Sequence, residues 1–408
     1  ELERESAQDA RPPARANVRS AYVGKSITSV PIRWPAGAGL GHAPLGQQLF
    51  AAVSSGKPSE VSAALEAGAD PTGSSFARGQ NLLFFAAART EDSLEVCELL
   101  VKHSVDPTVI DTHWRQTPLF FAVRAFPSPG GGAACAQFLI ESRCCPNQID
   151  MNGQTPLFYA AQREESNCVE VLLQARAEVS TVDSNGQTAC FFAARSGSDR
   201  SMLALIAARA DAAHRDNAQQ TPLFWVPSAP SHRQGAMVDL LLDFRCSVRW
   251  RDPSGRSPLF RAASEGASEA LNALMQAGAD IHLEDMAGET CLFYAVKAAE
   301  MRKNAPSGHP AAIGPLATLE TCRMLLDLGA DATHRNRRGE KADELASGAL
   351  REFLVRESGM QKRLRLRRRP SVPELTGSPP GRRARTAGSM EASDPAYQAP
   401  EYYSRAQA

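Results

Sequence analysis

Residues 153–161 read GQTPLFYAA, and variants of this nonapeptide return along most of the chain. RQTPLFFAV begins at Arg115, GQTACFFAA at Gly186, QQTPLFWVP at Gln219, GRSPLFRAA at Gly255 and GETCLFYAV at Gly288. Degenerate copies, GQNLLFFAA and GQQLFAAV, begin at Gly79 and Gly46. Aligned on the threonine, the units stand at Gln47, Asn81, Thr117, Thr155, Thr188, Thr221, Ser257 and Thr290, at intervals of 34, 36, 38, 33, 33, 36 and 33 residues. A weaker ninth position, Lys341, follows after 51 residues. One TPLF is chance. Eight in phase mark a supersecondary unit with loop insertions between its copies.

The fourth unit shows what each copy contains. Thr155 precedes a helix whose first turn holds Pro156, at a position that needs no N–H donor. Leu157, Phe158, Ala160 and Ala161 supply its apolar face. A polar turn leads to a second helix, CVEVLLQA from Cys168, and AEVSTVDSNG from Ala177 leads into the next unit. Such second helices recur, as EVCELLVKH from Glu95, MVDLLLDFR from Met237 and ALNALMQAG from Ala270. Glycines end them in a left-handed conformation at Gly68, Gly278 and Gly329. One helix pair has two apolar faces and no partner, so stacking neighbours must bury them in a continuous core.

This unit resembles the start of the ankyrin repeat, whose family pattern is T-P-L-H-x-A with a period of 33. The resemblance implies an all-α solenoid of helix pairs with β-hairpin-like fingers. It covers eight repeats over residues 44–359, the last followed by a degenerate C-terminal cap that begins at Glu340. One departure is systematic: the family's His is Phe here, at Phe50, Phe84, Phe120, Phe158, Phe191, Phe224, Phe260 and Phe293. Phe cannot make the His hydrogen bonds, so a stacked apolar ladder along the array is expected, each ring burying roughly 150 Å² or more. Two fingers lack their turn glycine and carry Arg115 and Gln219, which requires a different turn or a strained residue. Pro227 should end the sixth first helix early. Insertions between helices are expected near Phe126, near Ser228 (SAPSHRQG) and over Lys297 to Thr318.

The flanks differ in composition. Residues 1–43 show no helical period and read as mostly disordered, and residues 360–408 read as disordered, or helical only through Arg369. The whole chain has a formal net charge of zero, yet from Lys362 onward there are ten Lys or Arg against four acids. Nine cysteines without a pairing pattern argue for a reducing intracellular compartment, cytoplasm or nucleus. No apolar run is long enough to insert in a membrane.

No catalytic or metal-ligand constellation is evident. The eight His are dispersed without HExxH spacing, and His282 and His334 read as solvated finger residues. No cofactor or metal is implied. Binding is expected instead at the fingers, which the resemblance places along a concave groove. Their tips hold Trp114, Arg115, Trp250, Arg251, Arg337 and Arg338, and Trp and Arg are enriched at binding hot spots. The alternative is that Trp114 and Trp250 pack on adjacent fingers. The basic run Lys362, Arg363, Arg365, Arg367, Arg368 and Arg369 reads as an import or polyanion patch, and Ser371 stands in a basophilic-kinase context. The expected role is a non-catalytic scaffold or adaptor with a protein partner; nucleic acid would enter only through the basic tail. The other readings are a chromatin-associated factor and the regulatory array of a larger enzyme.

Overall fold

Each Thr-Pro starts a short helix at its proline, because the ring presets φ and an N1 position has no intrahelical acceptor to lose. Helices begin in this way at Pro118, Pro156, Pro222 and Pro258, each preceded by an extended Thr or Ser. The computed structural model describes residues 45–72, 78–89, 93–125, 131–163, 167–303 and 315–367. Both segments expected to be disordered therefore lie wholly or largely outside the described residues.

In chain order the helices are α1 (Leu45–Ser55), α2 (Pro58–Glu66), α3 (Leu82–Ala87), α4 (Ser93–Lys102), α5 (Pro118–Arg124) and α6 (Gly131–Glu141). Next come α7 (Pro156–Ala161), α8 (Cys168–Gln174), α9 (Ala189–Ser196), α10 (Asp199–Ala207), a 3-10 helix (Pro222–Ser228) and α11 (Ser231–Asp243). The chain ends with α12 (Pro258–Glu265), α13 (Ser268–Gln276), α14 (Cys291–Lys303), α15 (Pro315–Asp327), α16 (Ala342–Leu345) and α17 (Gly348–Arg367). First helices pack on first helices (α5 on α7, α7 on α9, α12 on α14), and second helices on second helices (α4 on α6, α6 on α8, α11 on α13). Two parallel layers thus enclose one core that runs without a break from Leu49 to Leu354.

The Phe slots fill that core, but not by stacking on one another. Phe84, Phe120, Phe158, Phe191, Phe224, Phe260 and Phe293 are all at most 2% exposed, while Phe50, at the start, is half-buried. Four of these rings instead meet, edge to face, the residue just after the Phe slot of the next repeat, while Phe191 meets His214 and Phe293 meets His334. Phe84 meets Phe121 at 5.3 Å, Phe120 meets Tyr159 at 5.6 Å, Phe158 meets Phe192 at 5.4 Å and Phe260 meets Tyr294 at 5.2 Å. The ring quadrupole prefers this T-shaped arrangement to a face-to-face pile. The hydroxyls of Thr155, Thr221, Ser257 and Thr290 are buried with no hydrogen-bond partner.

Pro227 does not stop the sixth first helix early. It lies inside a seven-residue 3-10 helix, Pro222–Ser228, which runs one residue past it. SAPSHRQG is not simply a loop, since α11 starts at Ser231. Gln234 within it is buried and ties three pieces together, its amide donating to the carbonyls of Pro227 (3.1 Å) and Ala229 (2.8 Å) while its Oε1 accepts from the Ala270 N–H (3.1 Å). The Lys297–Thr318 insertion is helical at both ends, in α14 and α15, with 304–314 outside the described residues. Residues 126–130, from the FPSPGGGA stretch, also lie outside them.

Candidate functional site

The fingers are built on one aspartate. Asp111, Asp150, Asp183, Asp216, Asp252 and Asp285 recur five or six residues before the Thr position, and all are buried. In the fifth finger Asp183 Oδ1 accepts from the backbone N–H groups of Asn185 and Gln187, both at 2.9 Å. Its Oδ2 faces the preceding repeat and accepts from Gln154 Nε2 at 3.1 Å. The same bond joins Gln116 to Asp150 (3.1 Å), Gln187 to Asp216 (3.2 Å) and Gln220 to Asp252 (3.0 Å). Burial pushes the Asp252 carboxyl up, but hydrogen bonds from Arg256 and Gln220 outweigh it and hold the group below the usual carboxylate range. The recurrent Gln-Thr of the motif is therefore a side-chain rung between repeats.

Backbone rungs run beside it. The Met151 N–H donates to the Trp114 carbonyl (3.0 Å), Ser184 to Asn152 (2.8 Å), Asn217 to Asn185 (2.9 Å), Met286 to Ser254 (2.9 Å) and Arg337 to Ala287 (2.9 Å). Among the described residues no strand forms, and the one isolated bridge pairs Arg335 with Lys341; each finger folds back through a bond such as that from the Asp183 N–H to the Gln187 carbonyl (2.9 Å). Between the sixth and seventh fingers the donor position is Pro253, which has no N–H. There Trp250 Nε1 donates to the Gln219 carbonyl at 2.8 Å, with the Arg215 guanidinium 3.5 Å above its ring.

These contacts sort the residues singled out in the sequence. Trp250 is committed to the preceding finger, whereas Arg251 lines a cleft of about 360 Å³ with Val248, Arg249 and Asp280. Trp114 is half-buried at a finger tip with His113 edge-on at 4.8 Å, and Arg115 beside it is exposed. Arg115 and Gln219 keep the glycine turn by adopting left-handed conformations, with φ of 58° and 57°. Arg337 and Arg338 are exposed on the last finger. His334 is not solvated: its Nε2 lies 2.8 Å from the Gly288 carbonyl and its ring stands edge-on to Phe293 at 6.1 Å. His282 is exposed. Lys362 and Arg363 are exposed on α17; Arg365 and Arg367 lie in its last turns, and Arg368, Arg369 and Ser371 fall outside the described residues.

A second surface escaped the sequence reading. The first helices bury the positions up to the Phe slot and the two that follow its neighbour, but leave the residue directly after the Phe half-buried in several repeats, along with cations three or four residues further on. Arg124 lies over Tyr159 (5.2 Å), and Trp225 is sandwiched between Arg195 (5.7 Å) and Arg261 (3.8 Å). Some cations at the second of these positions tie neighbouring repeats together: Arg163 donates to the Arg124 carbonyl, as Arg89 does to Ser54 and Ser55. The signal in sequence was the aromatic that follows six of the eight slot Phe residues, read there only as part of an apolar motif.

Two layers of short helices joined by turns define a stacked-repeat solenoid. A family model described as "Ankyrin repeats (3 copies)" matches residues 49–150, 128–216, 200–285 and 228–336. The chain belongs to the ankyrin repeat family, members of which generally mediate protein–protein interaction and are typically non-enzymatic. No curated protein matches the chain. Among the described residues no group of His, Cys, Asp and Glu is placed to hold a metal, and no helix is long and apolar enough to cross a membrane.

Proposed function

We propose that this protein is a non-catalytic scaffold or adaptor whose repeat body, residues 44–359, holds a protein partner along the finger tips and the exposed face of the first helices. The observation that carries this reading is Arg115. It sits exposed beside Trp114 in a left-handed conformation that glycine occupies in most of the other fingers, at a backbone cost of about 1–2 kcal/mol. Strain of this kind at a surface tip motivates a binding role, because no contact of the Arg115 side chain among the described residues requires it. Trp114 and Arg115 are its leading residues, with Arg251, Arg337 and Arg338 extending the surface. Trp250 serves mainly to join two fingers.

Arg115→Gly tests it cleanly, since the substitution relaxes the backbone while removing the guanidinium. Captured partners should be lost from this variant and from Trp114→Ala, with helicity unchanged and thermal stability raised in the former. Full retention of partners by both variants would sink the reading. The basic end of α17, where Lys362 and Arg363 are exposed, supports a second reading as a polyanion-binding or import element. Salt-sensitive binding lost on deleting residues 362–385 would support that one.

A further inference from the structure

Neighbouring second helices bring two thiols into contact. Cys97 lies in the second turn of α4 and Cys135 in the second turn of α6, and these helices pack side by side. Their Sγ atoms are 3.6 Å apart, and both side chains are free thiols buried in the core. The two residues are 38 apart in the chain, so stacking of the second repeat on the third makes this contact, and no local turn does. A disulfide holds its sulfurs about 2.05 Å apart. Closing the remaining gap of about 1.5 Å takes rotation about χ1 and a small shift of α6.

The geometry points to an oxidative modification site: Cys97 and Cys135 form a reversible disulfide when a hydroperoxide reaches them, stapling the second repeat to the third. In the closed array the pair is inert, because the thiolate is the reacting form. The hydrogen bond with Cys135, together with burial, pushes the Cys97 thiol well above its ordinary range. Access therefore comes through local opening of α6, whose first two residues, Gly131 and Gly132, are poor helix formers. On opening, the Cys135 thiolate attacks a peroxide oxygen and the O–O bond breaks. This leaves a sulfenic acid and releases an alcohol, or water from hydrogen peroxide. On reclosing, the Cys97 sulfur attacks the sulfenic sulfur, the S–S bond forms and water leaves. Two thiols and one hydroperoxide thus give one disulfide, one alcohol and one water. Two electrons pass from the sulfurs to the peroxide, and both thiol protons end on the departing oxygens.

The link encloses α5 and the finger that carries Trp114 and Arg115 in one covalent loop. A crosslink lowers the entropy of the unfolded chain, and more for a long loop than for a short one. The oxidised array therefore resists opening at these repeats. This chemistry is independent of the scaffold reading. The rival pair is Cys144 and Cys145, because Cys145 is exposed and meets oxidant first. Adjacent residues have Cα atoms about 3.8 Å apart across a trans peptide, short of the roughly 4.4–6.8 Å that a disulfide usually spans. Cys144 is also buried, away from its exposed neighbour.

The test treats the full chain with hydrogen peroxide, alkylates the remaining thiols in denaturant, and reads unreduced tryptic peptides by mass spectrometry. Cleavage after Arg89 and Lys102 isolates Cys97, and cleavage after Arg124 and Arg143 isolates Cys135, so each peptide holds a single cysteine. The expected product joins residues 90–102 to residues 125–143 and is two hydrogens lighter than their sum. It forms more slowly than Cys145 reacts, and dithiothreitol reverses it. It persists in Cys145→Ser and disappears in Cys97→Ser and in Cys135→Ser. The oxidised chain migrates as a single chain on a non-reducing gel, and its Tm rises by about 5 °C. The inference is overturned if Cys97 and Cys135 stay unlinked once Cys145 is fully oxidised, or if either links in greater yield to another cysteine or to a second chain. An unchanged Tm with the link in place overturns the staple. The wild-type peptide map decides between these results even where a serine variant fails to fold.

Discussion

Replacing Asp183 with alanine removes three hydrogen bonds at the interface between the fourth and fifth repeats. Two of them, from the N–H groups of Asn185 and Gln187 at 2.9 Å, shape the finger, and one, from Gln154 at 3.1 Å, joins it to its neighbour. Their costs differ with exposure. Gln187 is buried, 6% exposed, so its N–H is left without an acceptor, at about 1–3 kcal/mol. Asn185 is exposed and Gln154 half-buried, so water substitutes in part and each loses about 0.5–1 kcal/mol. The sum is about 2–5 kcal/mol for Asp183→Ala. Asp183→Asn retains an acceptor for both backbone donors and allows Gln154 to present its oxygen, leaving about 1 kcal/mol from the loss of charge assistance. Urea unfolding followed by far-ultraviolet circular dichroism measures both, and amide exchange should place the loss in the two flanking fingers. Equal costs for Ala and Asn, or less than 1 kcal/mol for Ala, would refute the account of these aspartates as inter-repeat rungs.

Other expectations follow from the same network. The Thr155 hydroxyl is buried without a partner and makes no cap bond, so Thr155→Val should leave stability unchanged or raise it by up to about 1 kcal/mol; a loss greater than that would show an acceptor in solution. Trp250→Phe removes the indole donor that stands in for the missing Pro253 rung, and should cost about 1–2 kcal/mol, read as a lower Tm. An unchanged Tm would show that the junction does not depend on it. Of the nine cysteines, Cys145 alone is exposed, so one thiol should react rapidly in the native chain and none in Cys145→Ser. Burial pushes the Cys190, Cys246, Cys291 and Cys322 thiols up to about 12, against about 8.5 in an unfolded chain. Their neutral forms therefore support the fold fully below about pH 8.5, and that support should decline as pH rises toward 12.

The ankyrin class was legible because it depends on local chemistry repeated in phase. Thr-Pro starts a helix, apolar residues at helical spacing bury one face, and a period near 33 requires stacking, wherever the chain goes next. Burial of the Phe slot was equally local, since a ring in the middle of LFxA has nowhere else to go. What each ring touches was not legible. Phe158 meets Phe192 rather than another slot Phe because neighbouring first helices place consecutive positions, and not equivalent ones, within reach. The Gln of Gln-Thr and the aspartate before it are visible letters, but only stacking brings Gln154 to Asp183 across 29 residues.

The site divides along the same line. Trp and Arg at finger tips were visible from composition and position, yet the sequence could not separate Trp250, which closes a gap left by a proline, from Arg115, which stands free at a strained turn. The basic face of the first helices was invisible in a chain of formal net charge zero. Its cations lie in separate repeats, and only tertiary packing brings Arg124 over Tyr159 and both Arg195 and Arg261 to the Trp225 ring.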